Sequence, residues 1–203
     1  GTTSSNTDGS ITSTVQANTT AGFSIVTYTG TGSNATIGHG LGATPKTYWI
    51  KRRSSGTADW YIYHSSIGAT KNLRLNKTNA SSTDSGIFND TEPTSSVFSL
   101  GSSFSNTSSK DYVAYCFAEK QGYSKFGTYT GNGSSDGPFA YTGFKSAWLM
   151  IKRTDSTNHW TLQDNARESS NVVQKFLLAN EDDAEDTSAG QDLDFLSNGF
   201  KIR

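Results

Sequence analysis

The chain states one pattern twice. Residues 22–53 (GFSIVTYTGTGSNATIGHGLGATPKTYWIKRR) and 122–153 (GYSKFGTYTGNGSSDGPFAYTGFKSAWLMIKR) share three anchors. These are TYTG-x-GS at Thr27–Ser33 and Thr128–Ser134, IKR at Ile50–Arg52 and Ile151–Arg153, and a following tryptophan, Trp60 and Trp160. The anchors recur roughly 100 residues apart, the size of a small domain and too long for a solenoid repeat. The spacing predicts an N-terminal arm or linker strand over 1–21, a first domain over 22–121 and a second over 122–203. Arrays of duplicated β-domains serve binding or scaffolding, so the expectation is a protein that is not an enzyme.

Composition narrows the class. Charged residues make up 17% of the 203 residues, below the usual quarter, and the net charge is −1. A near-neutral chain lacks the basic footprint that nucleic acid or an anionic membrane surface requires. Aromatics reach 12%, which predicts cores of Trp, Tyr and Phe on short strands. The single cysteine, Cys116, excludes an intramolecular disulfide and reads as a small buried hydrophobe inside YVAYCFA. No apolar run reaches the ~18 residues of a membrane helix. The N-terminus is polar, without a signal peptide, and begins at Gly1, as a fragment of something longer would. Seven N-x-S/T sequons occur, as chance gives in so Ser/Thr/Asn-rich a chain.

Short strand-like runs alternate with Gly/Ser/Asn/Thr clusters, the pattern of a sandwich. The prediction is an all-β protein of two tandem β-sandwich domains, jelly-roll or lectin-like, related by internal duplication, with at most one short helix. Strands are expected at Phe23–Thr29, Lys46–Arg52, Asp59–His64, Asn72–Asn76, Val97–Leu100 and Tyr112–Ala118. The second domain offers Tyr123–Thr130, Ala147–Arg153, Trp160–Asp164, Lys175–Leu178 and Asp194–Ile202, with the helix placed in Ala166–Leu178. In Trp60–His64 the Trp-x-aliphatic face, repeated in Trp160–Asp164, reads as the core side, leaving Tyr61 and Tyr63 towards solvent. The second domain reads as incomplete, because nothing after it matches DYVAYCFAE at Asp111–Glu119. An open edge is then expected to be filled by a neighbouring segment, such as Ser10–Gln16, or by another chain.

Chemistry-bearing groups are sparse. His39, His64 and His159 are the three histidines, and no nucleophile elbow, zinc-protease, P-loop or dinucleotide motif occurs. His39 lies in a GHGLG turn, and His64 is replaced by Asp164 in the second copy. Glu181, Asp182, Asp183 and Asp186 form an acidic loop that is either solvated or a Ca²⁺ site, since hard cations take several loop oxygens. It lacks EF-hand spacing. No facing pair of carboxylates marks a glycoside hydrolase. Tyr28, Tyr61, Tyr63 and Tyr129 are the candidates for stacking on a sugar ligand, against the alternative that they are core or cross-strand residues.

The segment Val113–Ser156 carries AYCFAE, GYSKFG-x-YTGNG and MIKRTD. Together with TYTGTGSNATIGHGLGATPKTYWIKRR and DGSITSTVQANTTAGFS, it resembles an uncharacterised tandem-repeat domain of tailed-phage virion proteins, notably marine and cyanobacterial ones. The resemblance spans nearly the whole chain. It implies a tail-fibre or other virion structural protein in an extracellular particle, with no catalytic residues and no cofactor beyond the Ca²⁺ alternative. The partners it implies are other virion subunits, further copies of the chain with a trimer favoured, and host-surface glycan. The rival expectations are a capsid decoration or architectural protein without a receptor role and, behind both, a glycan hydrolase.

Overall fold

Alternation builds the first unit. In Phe23–Thr29 every second side chain (Ser24, Val26, Tyr28) is buried, and in Asp111–Phe117 the same holds for Tyr112, Ala114 and Cys116. The computed structural model describes every residue except Ser55 and Ala189. It divides into two compact units, one of residues 1–75 and 81–120, the other of 76–80 and 121–203. The protein is all-β, and its strand pairs are antiparallel.

The first unit holds β1 (Ser4–Asn6), β2 (Ser13–Asn18), β3 (Phe23–Thr29), β4 (Ala35–Gly38), β5 (Thr47–Arg52) and β6 (Tyr61–His64). It continues with β7 (Lys71–Arg74), β8 (Ser82–Thr83), a short helix α1 (Ser85–Phe88), β9 (Val97–Leu100) and β10 (Asp111–Phe117). Eight strands form one sheet in the order β1-β2-β3-β10-β5-β6-β7-β8, and β4 pairs with β9 in a separate ribbon. Val26, Tyr28, Tyr48, Ile50, Tyr63, Tyr112 and Ala114 of the sheet pack with Ile37, Phe98 and Leu100 of the ribbon and with Ile87 and Phe88 of α1. The layering is sandwich-like. Tyr48 is the hub, its ring 4.7 Å from both Tyr63 and Phe98 and 5.3 Å from Phe88.

The second unit holds β11 (Phe139–Tyr141), β12 (Trp148–Lys152), β13 (Trp160–Asp164), β14 (Leu177–Leu178), β15 (Leu193–Leu196) and β16 (Gly199–Ile202). Two three-stranded sheets result, β12-β13-β14 and β11-β16-β15. Its core is smaller: Val173, Leu193 and Phe195, with Leu149, Ile151 and Ile202 packed against them.

The repeated sequences carry matching local structure. Ile50 pairs with Tyr61 as Ile151 pairs with Thr161, and Tyr48 with Tyr63 as Leu149 with Gln163. The third strand also registers alike, Ile62 on Leu73 and Leu162 on Leu177. The carbonyls of Trp60 and Trp160 accept from Leu75 and Ala179 at 3.1 and 2.9 Å, and those of Lys46 and Ala147 from Ser65 and Asn165. In TYTG-x-GS the second glycine takes a left-handed backbone both times, φ 77° at Gly32 and 70° at Gly133.

Several expectations are corrected. Residues 123–130 form no strand. Asp194–Ile202 is a hairpin, because Ser197 and Asn198 turn the chain ahead of Gly199. Ala166–Leu178 is not helical; Val173 exchanges backbone hydrogen bonds with Leu193, and Asp164 caps the preceding turn. The helix instead lies at Ser85–Phe88, where the Asp84 carboxylate accepts from the Gly86 N–H at 2.9 Å. Ser10–Gln16 overlaps β2, which lies between β1 and β3 in the sheet of the first unit. Tyr61 and Tyr63 face the core at 3% and 1% exposure, because β6 is covered on both sides.

The first TYTG-x-GS turn is clamped by a fully buried amide. Asn106 accepts from the Thr31 N–H at 2.9 Å and donates to the carbonyls of Ser33 and Gly101. The second turn is held by exposed groups: Asn132 donates to the Asp136 carbonyl and accepts from the Ser134 N–H, and the Ser134 hydroxyl accepts from the Asp136 N–H. Asn106→Ala strands the buried Gly101 carbonyl and frees the part-buried Thr31 N–H and Ser33 carbonyl, and is expected to destabilise the protein by about 1–3 kcal/mol, whereas Asn132→Ala stays within about 0.5 kcal/mol. Urea denaturation checks this, and equal effects would refute the clamp.

Candidate functional site

The residues singled out for chemistry are mostly structural. Tyr28, Tyr61 and Tyr63 are buried in the first core and offer no surface to a sugar. Their hydroxyls serve loops: Tyr28 donates to the Ser105 carbonyl at 2.7 Å and Tyr63 to the Glu92 carboxylate, whose other oxygen accepts from the Ala69 N–H at 2.7 Å. Burial raises the phenol pKa of both. Tyr129 is half-buried, its ring edge-on to Phe200 at 6.0 Å. Cys116 is fully buried and its thiol is pushed up to about 12 by burial, so it stays a packed hydrophobe.

The acidic loop does not converge. Among the described residues no three His, Cys, Asp or Glu side chains gather as a metal-holding group. Glu181 lies 3.3 Å from His159 and accepts from Asn180 at 2.8 Å, while Asp186 accepts from the Ser188 N–H and hydroxyl. Asp182 and Asp183 are exposed. Glu185 reaches Lys175 at 3.2 Å and Arg167 at 3.8 Å.

The histidines are equally committed. His39 has no exposed surface; its Nδ1 accepts from the Leu41 N–H at 3.2 Å, which leaves Nε2 to donate to the Thr94 carbonyl at 3.2 Å. Burial holds the ring below the usual histidine range, against smaller raising influences from Thr94 and Asp8. His64 is lowered by burial too, and its Nδ1 accepts from the Ser66 N–H. Asp164 has the same task, accepting from the Ala166 N–H at 3.0 Å.

What the structure does expose is a set of rings that the sequence reading passed over. Phe139 and Tyr141 stand on one face of β11 at 47% and 67% exposure. A side chain at Gly199, on the neighbouring strand, would sit 2.2 Å from the Ala140 carbonyl oxygen and 2.9 Å from the Phe139 ring, so glycine is needed there. Trp148 begins β12 at 51% exposure. The signal was available in PFAY, two aromatics at the two-residue period of a strand.

A small cleft in the same unit is lined by Lys145, Asn165, Glu168, Ser169, Asn171 and Phe195, with a volume of about 60 Å³. That admits a few waters, not a sugar ring. Two of its polar groups are committed: Glu168 accepts from the Lys175 and Gln174 N–H groups, which hold its carboxyl low. Asn171 pairs both ways with the Phe195 backbone. The arrangement suits flat stacking on exposed rings better than enclosure of a ligand.

A family model described as a domain of unknown function (DUF7483) matches residues 1–203. No curated protein and no solved structure matches the chain.

The buried histidines give a pH signature. Their folded pKa values lie below the unfolded ~6.5, so the unfolded chain takes up protons first and stability falls as pH drops below about 6.5. The urea midpoint is expected to be lower at pH 5.5 than at 7.5, and His39→Gln with His64→Gln to flatten that step. A midpoint that rises on acidification would contradict the assignment.

Proposed function

The chain belongs to that domain family, and from this premise we propose that it is a structural and adhesive component of a phage virion, a tail-fibre segment that contacts host-surface glycan without catalysis. The observation that carries this reading is the pair Phe139 and Tyr141, exposed side by side on one strand. The C–H faces of a pyranose stack on such rings, and an aromatic platform gives large contact area with little side-chain entropy lost. Its binding energy per site is small, and repetition over many copies of a virion supplies avidity.

The units are read as copies of one β-sandwich domain, on the strength of the shared meander register and the shared left-handed glycine. A Ser/Thr/Gly-rich, charge-poor double domain suits an extracellular fibre, and its partners are then other virion subunits and further copies of itself, a trimer first. The resemblance to phage virion repeats supports the same assignment. A purely architectural role in the virion is the second reading, favoured by an edge of β12 that pairs with no strand among the described residues.

A glycan array on the multimerised protein separates them. Binding to bacterial surface glycans is expected, and Tyr141→Ala or Phe139→Ala should weaken it by about tenfold, near 1.4 kcal/mol. An array without signal sinks the adhesive reading and leaves the architectural one.

A further inference from the structure

We propose that Asn132 is a self-modification site: its side chain closes onto the Gly133 nitrogen and converts to isoaspartate and aspartate, while the fold withholds the same reaction from Asn198. These are the two asparagines followed by glycine. The step needs a backbone nitrogen that can reach the side-chain carbonyl carbon, and glycine, without a Cβ, leaves that approach open. By sequence the two sites are alike, and the structure separates them.

Asn132, Gly133 and Ser134 are all exposed, in the second TYTG-x-GS turn. A Cβ at Gly131 or Gly133 would meet nothing within 4 Å. Among the described residues the Gly133 N–H makes no hydrogen bond. The Asn132 Oδ1 accepts from the Ser134 N–H at 3.1 Å, and its Nδ2 donates to the Asp136 carbonyl at 2.9 Å. The first bond polarises the amide carbonyl and strengthens as its oxygen gains negative charge under attack. The second is exposed, so giving it up costs little.

At Asn198 the nitrogen is taken. The Asn198 carbonyl accepts from the Thr142 N–H at 3.0 Å, which turns Asn198 towards β11 and the Gly199 N–H towards β15, opposite Leu196. Gly199 is also buried against the Ala140 carbonyl. Ring closure there has to wait for the hairpin to open. An extra backbone carbon in its two-residue turn would then break the register that pairs Leu196 with Gly199.

The step balances without a cofactor. Hydroxide removes the Gly133 amide proton, the nitrogen bonds to the Asn132 Cγ, and the Cγ–Nδ2 bond breaks. The amide leaves as ammonia, taking a proton from water and returning hydroxide. Water then opens the cyclic imide at either carbonyl. One opening gives aspartate, the other isoaspartate, which runs the main chain through the side-chain carbon. Both products lose the donor to the Asp136 carbonyl and add a negative charge to the turn. The first turn carries Thr31 at this position and is spared.

The whole chain is incubated at pH 7.5 and at pH 9, then digested. Each site is read by peptide mass spectrometry and by isoaspartate-specific enzymatic methylation. Conversion is expected at Asn132, faster at pH 9, and at least about tenfold slower at Asn198, where attack waits on local opening. In concentrated urea the two sites should react at similar rates, and Asn132→Gln should remove the product from the folded chain. No conversion at Asn132 after several weeks at pH 9 overturns the proposal, as does a folded-state rate at Asn198 equal to that at Asn132. A gap of the same size in urea would trace the difference to neighbouring residues, and the protection assigned to the hairpin would fall.

Discussion

The buried hydroxyls of Tyr28, Tyr63 and Tyr112 find partners at the rim of the core, while that of Tyr48 finds none among the described residues, and the loops of the first unit follow from the three that do. Tyr28 and Tyr112 stack at 5.1 Å, and Tyr48 stacks on Tyr63 at 4.7 Å. Each ring removes roughly 150–250 Å² from water. The hydroxyls of Tyr28 and Tyr112 then end on the carbonyls of Ser105 and Phe104, and the Tyr112 oxygen also accepts from the Thr107 N–H. The loop between β9 and β10 is thus fixed from below by two core residues. Because that loop is fixed, Asn106 is placed to hold the TYTG-x-GS turn. Sheet packing, loop conformation and the repeated motif form one causal chain that starts with ring area.

The second unit solves the same register differently. Tyr48, Tyr61 and Tyr63 are matched by Leu149, Thr161 and Gln163. The Gln163 amide donates to the Gln191 carbonyl at 2.8 Å where Tyr63 stacks rings. A core lined this way gains less from burial and relies more on directed hydrogen bonds. It exposes Phe139, Tyr141 and Trp148 while Trp160, Phe176, Phe195 and Phe200 stay buried.

The sequence was informative where its two similar segments agreed. The IKR and Trp anchors located β5, β6, β12 and β13, because a hairpin register tolerates no one-residue slip when a face is buried. Alternation misassigned Tyr61 and Tyr63, since a strand covered on both faces carries apolar groups on both and period two loses its meaning. Val173 and Phe176, three apart, imitate a helix, but the Val173 backbone is taken by Leu193 far along the chain. Only tertiary pairing decides such a case. The candidate ligand tyrosines were chosen by residue type, and type does not encode exposure. Tyr141 differs from Tyr28, Tyr61 and Tyr63 in environment alone.

His64 and Asp164 show how one position can keep its conformational task while its chemistry changes. Each accepts from the N–H two residues on. A carboxylate there does more than an imidazole, because it carries charge: Asp164 draws Arg167 to 2.8 Å and its own carboxyl is held low, chiefly by the Arg167 N–H. Arg167 and Lys175 in turn face Glu185. The acidic loop that suggested a calcium site is therefore answered partly by protein cations. Through Arg167, the exchange at one turn residue connects that turn to Glu185 in a loop about twenty residues away.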